Sequence, residues 1–245
     1  MRNDLMRLID ELGLAEHSAH LREIARPSIQ IVTTEGASAR CGSKLGGAPD
    51  VPGDFEWPRH PHGLYRFIGQ VNLADIPDGP HELPRGGLIS FFYAHDEEGE
   101  SFWQDPDYVR VYRFDRLDAL HPVEPPEIVS LGSSQPIRLE LGTDVPPWPS
   151  TDSAEALWPI AKSQRSAYWD LRVRLHPGIG YLLGYPFNTT LGYDPTPGPD
   201  WQSLLTLGSD DALAWCWHDG DWLVTFIERQ RLHAGDFSKI ASDAG

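Results

Sequence analysis

The chain has 245 residues, of which 40% are hydrophobic and 23% charged, a composition that builds a packed core and excludes collagen-like, coiled-coil and wholly disordered forms. Thirty-six acidic against 20 basic residues give a formal charge of −16, which repels phosphate backbones and anionic lipid, so neither nucleic acid nor a membrane is an expected partner. No apolar run approaches the ~20 residues of a membrane span, no secretory leader opens the sequence and only Cys41 and Cys216 are present, so a cytoplasmic protein with reduced thiols is expected.

Leu5, Leu8, Ile9 and Leu12 fall at helical spacing, and Gly13 can end that helix in a left-handed cap. Leu14, His17, Leu21 and Ile24 continue the period until Arg26-Pro27, so a helical hairpin laid on a sheet is expected over residues 1–27. Ile29, Ile31 and Thr33 then alternate with polar neighbours as a half-buried strand does. Further strands are expected at Tyr65 to Val71, Leu88 to Tyr93, Tyr108 to Phe114, Ile137 to Leu141, Gly180 to Leu183 and Ser203 to Leu207, each bounded by turn-forming residues. A capping-box-like start at Asp152-Ser153-Ala154-Glu155 predicts a helix over Ala156 to Lys162. Leu213 to His218 and Asp221 to Ile227, separated by Asp219-Gly220, predict a tight β-hairpin on a type I′ turn.

The expected architecture is α+β: two internally duplicated, mainly antiparallel β-units with an N-terminal helical hairpin. The first unit covers 28–121, a Pro-, Gly- and Ser-rich join covers 122–149, and the second unit with its leading helix covers 150–245, all in one two-lobed domain. The duplication rests on two alignments: Leu45-Gly46-Gly47-Ala48-Pro49 with Leu182-Leu183-Gly184-Tyr185-Pro186, and Phe67 to Asn72 with Ser203 to Gly208. One such unit cannot cover both faces of its sheet alone, and two packed together leave a groove where their loops converge, a common place for a ligand.

Ser43-Lys44-Leu45-Gly46-Gly47-Ala48-Pro49-Asp50-Val51-Pro52 with Trp57-Pro58, then Phe67 to Leu73, Leu83-Pro84 and Gly87 to Phe92, resemble the YwqG-like bacterial family. Leu182 to Pro186, Ser209-Asp210, Trp217 with Asp219 and Asp236-Phe237-Ser238 continue the resemblance. It implies a bacterial cytoplasmic protein of two related β-rich halves and brings no established activity. The chain departs from the family's pattern at Thr206, where a second Gln is usual, at Gly208, where Asp is usual, and at His218, where Gly is usual.

Gly42-Ser43-Lys44-Leu45-Gly46-Gly47 has the glycines and lysine of an anion cradle but not the P-loop order, and Pro49 and Pro52 preclude the helix such loops need. Gln70 and Asn72 share one face of an apolar strand, where they either tie down the 43–52 loop or line the groove. His60, His62, His81 and His95 have no compact metal-ligand spacing, the acidic run from Asp96 to Glu100 is not an EF-hand loop, and no G-x-S-x-G elbow occurs. Cys41, before the Gly-rich loop, is expected partly exposed, and Cys216, in a Trp-rich strand, is expected to be inert packing. The triplet Asn188-Thr189-Thr190 matches a glycosylation acceptor and, with no export signal expected, is expected to be a chance match.

These readings lead to a non-catalytic binding or protein-interaction module without cofactor or metal, drawn by its charge to a basic protein such as a toxin domain. The alternative is a small-molecule-binding domain or enzyme using the groove between the repeats. Candidate ligand-binding residues are Ser43, Lys44, Gln70, Asn72, Asp210, His218 and Asp219; the sequence fixes no oligomeric state.

Overall fold

Leu5, Leu8 and Ile9 form the buried stripe of α1 (Arg2–Glu11), which ends where Gly13 takes a φ of +71°. After a single 3-10 turn, α2 (Ser18–Ile24) buries Leu21. The computed structural model describes residues 2–96, 98–130, 133–188 and 190–245. Thr189, within the Asn188 acceptor triplet, and Glu97, within the acidic run, lie outside the described residues.

The strands in chain order are β1 (Arg26–Thr33), β2 (Lys44–Gly46), β3 (Asp50–Pro52), β4 (Arg59–His60), β5 (Gly63–Asn72), β6 (Leu88–Ala94), β7 (Val109–Phe114), β8 (Leu120–Pro122), β9 (Ser134–Asp144), β10 (Gly180–Leu183), β11 (Trp201–Gly208), β12 (Trp222–Glu228) and β13 (Ala241–Ala244). Three helices fall between or after them: α3 (Asp152–Ala156), α4 (Arg165–Leu175) and α5 (Arg229–Ala234). The protein is mostly antiparallel β with a few helices, α+β in character, and its main sheet is nearly closed and barrel-like. The sheet runs β13-β12-β11-β10-β1-β9-β2-β5-β6-β7, with β4 beside β5, while β3 and β8 form a separate pair. Among the described residues no helix is long and apolar enough to cross a membrane.

The centre of the sheet is the pair β1 and β9, in register from Arg26 opposite Asp144 to Thr33 opposite Ile137. The stretch expected to join two units therefore carries the longest strand, flanked by β1 and β2. On one side β2 pairs with β5, β5 with β6 and β6 with β7; on the other β10, β11, β12 and β13 follow the same antiparallel order. Both long strands are irregular at one place, β5 between Phe67 and Gly69 and β11 between Ser203 and Leu205. Both short strands end in two consecutive left-handed residues, Gly46-Gly47 at φ +63° and +68° and Leu183-Gly184 at +62° and +69°.

The interior of this sheet gathers Phe67, Phe91, Phe92, Leu182, Leu205, Trp215, Trp217 and Ile227 into one core. The N-terminal helices pack elsewhere. Leu5, Leu8, Ile9, Leu14 and Leu21 join Tyr168, Leu171 and Leu175 of α4 with Val145 in a second cluster, so the helices build their own layer rather than lying on a sheet face.

Three expectations give way. The hairpin over 213–227 does not form: β12 exists, but its two edges are occupied by β11 and β13, leaving none for Leu213 to His218. That segment is instead a loop whose alternation reports burial without strand pairing, with Trp215 and Trp217 at 2% exposure and Ala214 and His218 in left-handed conformation. The helix predicted over 156–162 stops at Ala156, and the main helix of the region is α4. The two thiols exchange environments, Cys41 being buried and Cys216 exposed, because the 213–218 segment is a loop and the Gly-rich turn is covered.

Candidate functional site

Four of the sequence-derived candidates meet in one place. Ser43 Oγ donates to Asp75 Oδ2 at 2.7 Å and accepts from the Asn72 amide at 3.0 Å, while Asn72 Nδ2 donates to the Cys41 carbonyl at 3.0 Å. Gln70 Nε2 donates to the Gly42 carbonyl and to Asp50 Oδ2, its Oε1 accepts from the Asp50 amide, and Lys44 Nζ reaches Asp50 Oδ2 at 2.7 Å. The Lys44 and Asp50 side chains are 6% and 0% exposed. All of these bonds except the Lys44–Asp50 pair, which lies within the loop, tie residues 41–50 to β5 or to the turn after it, so the cluster fixes the loop.

The other three candidates lie apart from it. Asp210 exchanges backbone bonds with Trp215 and accepts from the Leu213 amide at 2.9 Å, capping the turn before the Trp loop. His218 and Asp219 stand in solvent, with His218 Nδ1 3.5 Å from Asp221. The loop they end delivers Leu213 onto the Gly46-Gly47 turn, where a Cβ at Gly46 would lie 3.1 Å from Leu213 Cδ2, and packs Trp217 edge-on against Tyr93 at 4.9 Å. Leu213 and the Ser133-Ser134 backbone thus cover the first glycine turn.

Over the Leu183-Gly184 turn the space is open. Pro80, His81 and Glu82, from the loop after β5, face Leu183, Gly184, Gln202 and Arg229 across a cleft of about 420 Å³ that Arg26 also lines. A polar chain crosses it: Arg229 donates to Gln202 Oε1 at 2.7 Å, and Gln202 Nε2 donates to Glu82 Oε2 at 2.6 Å. Arg26 lies over the Tyr185 ring at 4.2 Å. Burial, reinforced by the charge of Arg85, lowers the pKa of His81 and favours its neutral imidazole. Leu183 holds a backbone conformation that costs a non-glycine residue about 1 kcal/mol or more, and residues kept in such conformations cluster at ligand clamps.

Directly behind Gly184 is a buried charge network. Asp144 is fully buried; its Oδ2 accepts from the Tyr185 amide at 2.7 Å, and its Oδ1 accepts from the Val145 amide at 2.7 Å and lies 2.9 Å from His176 Nε2. His176 stacks on Tyr181 at 3.8 Å, and its Nδ1 lies 3.1 Å from Gln30 Nε2, which also donates to Ser28 Oγ. Arg172, 2% exposed, donates to the carbonyls of Val145 and Pro186. Burial alone would raise the Asp144 pKa, but His176, Arg172 and the Tyr185 amide outweigh it and hold the carboxyl below its usual range.

The sequence reading missed this site. Gln30 reads as an outward residue of a half-buried strand, yet β1 is central and Gln30 is 4% exposed. Arg26, His81, Glu82 and Arg229 come together only through the crossing of the loop after β5, which local pattern does not report.

The chain belongs to the family described as a domain of unknown function (DUF1963), which matches residues 43–243. Comparison with curated proteins gives no match.

Proposed function

We propose that the protein is a non-catalytic binding module that holds a small organic molecule in the cleft between the loop after β5 and the Leu183-Gly184 turn. One observation carries this reading: the cleft is lined by residues from both sides of the sheet, bridged by the Glu82–Gln202–Arg229 chain. Its volume of about 420 Å³ is in the range of small-ligand sites, and its mixture of Pro27, Pro80 and Leu183 with two arginines is the mixed lining such sites use. A ligand with an acidic group and an apolar body matches that lining. A thermal-shift screen of a broad metabolite panel tests it, since a compound that binds only the folded state raises the melting temperature. The reading predicts compounds whose shift disappears in Pro80→Trp, a substitution at an exposed position that plugs the mouth. A panel without stabilising compounds, or stabilisation that Pro80→Trp leaves intact, overturns it.

The duplication is part of the same proposal. Matching irregularities in β5 and β11, paired left-handed turns at 46–47 and 183–184 and the same strand order on either side of β1 and β9 support descent from one repeated unit. In this reading one of two related clefts has been filled by Leu213 and the Trp loop while the other stays open. The motif order supports placement within the YwqG-like group and, with it, a bacterial cytoplasmic setting.

A basic protein partner is the second reading, favoured by the charge of −16. Pull-downs at low and raised salt test it, and the absence of any salt-sensitive basic partner discards it.

A further inference from the structure

The side of α4 that faces the segment after β9 carries a separate cavity of about 650 Å³ bordered by Trp148, Lys162, Arg165, Trp169 and Arg172. Its charge runs against that of the chain. Thirty-six acids outnumber 20 bases overall, yet the described charged groups around this cavity are Lys162, Arg165 and Arg172 against Glu155 alone. Glu155 is already engaged, accepting from Trp148 Nε1 at 2.8 Å and from Lys162 at 3.2 Å. Arg165 makes no ion pair among the described residues and lies 5.7 Å from the centre of the Trp148 ring.

The aromatic walls are fixed in advance. Trp148 packs edge-on against Trp158 and Tyr168 at 6.2 and 5.7 Å and is held by its bond to Glu155; Tyr168 is held by donating to the Pro146 carbonyl at 2.6 Å. Trp169 leans on Phe187 at 5.3 Å and leaves 43% of its surface in solvent, an unusual exposure for the largest apolar side chain. Arg172 at the floor is fixed by two carbonyls. A held indole at Trp148 and an exposed one at Trp169, beside cations not fully neutralised, suit a flat ring bearing a negative group.

We propose that this cavity is a second ligand site, distinct from the cleft at Gly184, and that it takes an aromatic anion: a planar ring against Trp148 and Trp169, with its carboxylate or phosphate on Arg165 and Lys162.

Calorimetric titration of the full chain with 1-naphthyl phosphate, 2-naphthoate, 1-naphthol and inorganic phosphate tests this. Naphthyl phosphate or naphthoate binds at least about tenfold more tightly than naphthol or inorganic phosphate, because ring and charge are both recognised. Whichever of the two acids binds more tightly tells a phosphate-bearing from a carboxylate-bearing natural ligand. Arg165→Gln and Trp169→Ala, both at exposed positions, each weaken the better acid at least about fivefold, whereas Arg26→Gln in the other cleft changes it by less than about twofold. Equal affinity for naphthol and the acids, no saturable binding up to about 10 mM, or indifference to both Arg165→Gln and Trp169→Ala overturns the proposal. Loss through Arg26→Gln instead would assign the binding to the Gly184 cleft and overturn it equally.

Discussion

His176 Nε2 lies 2.9 Å from Asp144 Oδ1, with the two side chains 2% and 0% exposed, at the point where the central strand β9 ends and the Gly184 turn crosses it. The pair joins three distant parts of the chain, since Asp144 also holds the Tyr185 amide and His176 reaches Gln30 of β1. Removing one partner of such a pair leaves a charge or dipole buried without compensation, which typically costs about 3–5 kcal/mol. Asp144→Asn is therefore expected to be strongly destabilised in urea at neutral pH.

The same pair sets an acid dependence. The Asp144 pKa is lowered in the folded protein, so its contribution is fully present above the unfolded carboxylate value of about 3.9 and is lost as the pH falls through the folded value. Urea midpoints measured from neutral pH downward should show wild type converging on Asp144→Asn below about pH 4. A gap independent of pH would mean that Asp144 contributes by shape and not by charge.

Lys44 and Asp50 make a second buried pair, 2.7 Å apart, in the loop-fixing cluster. Lys44→Met alone is expected to cost about 3–5 kcal/mol by stranding the Asp50 carboxylate. Adding Asp50→Leu should recover part of that loss, though not all of it, because Gln70 would then lose one of its two acceptors. A double-mutant cycle by urea denaturation measures the coupling; additive losses would contradict the cluster's role.

Gly47 and Gly184 both sit at left-handed φ with no room for a side chain. A Cβ would lie 2.6 Å from Ser134 Cβ at the first and 2.8 Å from Asp144 Oδ2 at the second. Alanine at either position should destabilise by at least about 1 kcal/mol from conformation alone. Gly184→Ala should in addition reduce the acid sensitivity that Asp144 confers, and Gly47→Ala should not; thermal melts at two pH values separate the effects.

The thiols are expected to behave oppositely to one another. Burial, aided by the Asp50 charge, raises the Cys41 pKa, while Cys216 is exposed. A disulfide reagent should label one thiol promptly in the native protein and the second only on unfolding, and Cys216→Ser should abolish the prompt phase.

The strands were legible where burial and chemistry agree locally: Leu88 to Tyr93 is apolar, β-prone and bounded by turns, and it is β6. The 213–218 segment shows the limit of that signal. Its alternation is real, since Trp215 and Trp217 are buried, but alternation says nothing about which edge is free, and β12 had none to offer. β13 was illegible for the opposite reason: Ala241-Ser242-Asp243-Ala244 has little strand propensity and is a strand through its register with β12. In α4 the charged Arg172 is buried while Trp169 and Val173 are exposed, inverting the pattern by which a helix face is recognised. The site followed the same rule. Ser43, Lys44, Gln70 and Asn72 are neighbours through one local strand pairing and could be grouped from sequence, whereas the Gly184 cleft needs the loop after β5 to reach β11.

Ligand occupancy of that cleft is what the proposed function requires. Chemical-shift mapping of the isotopically labelled full chain, titrated with the compound that raises its melting temperature most, addresses it directly. The account predicts saturable shifts at 80–82 together with 183–184, 202 and 229, drawn from both sides of the sheet. Shifts confined to one side, or a titration that leaves these residues unmoved, would contradict it.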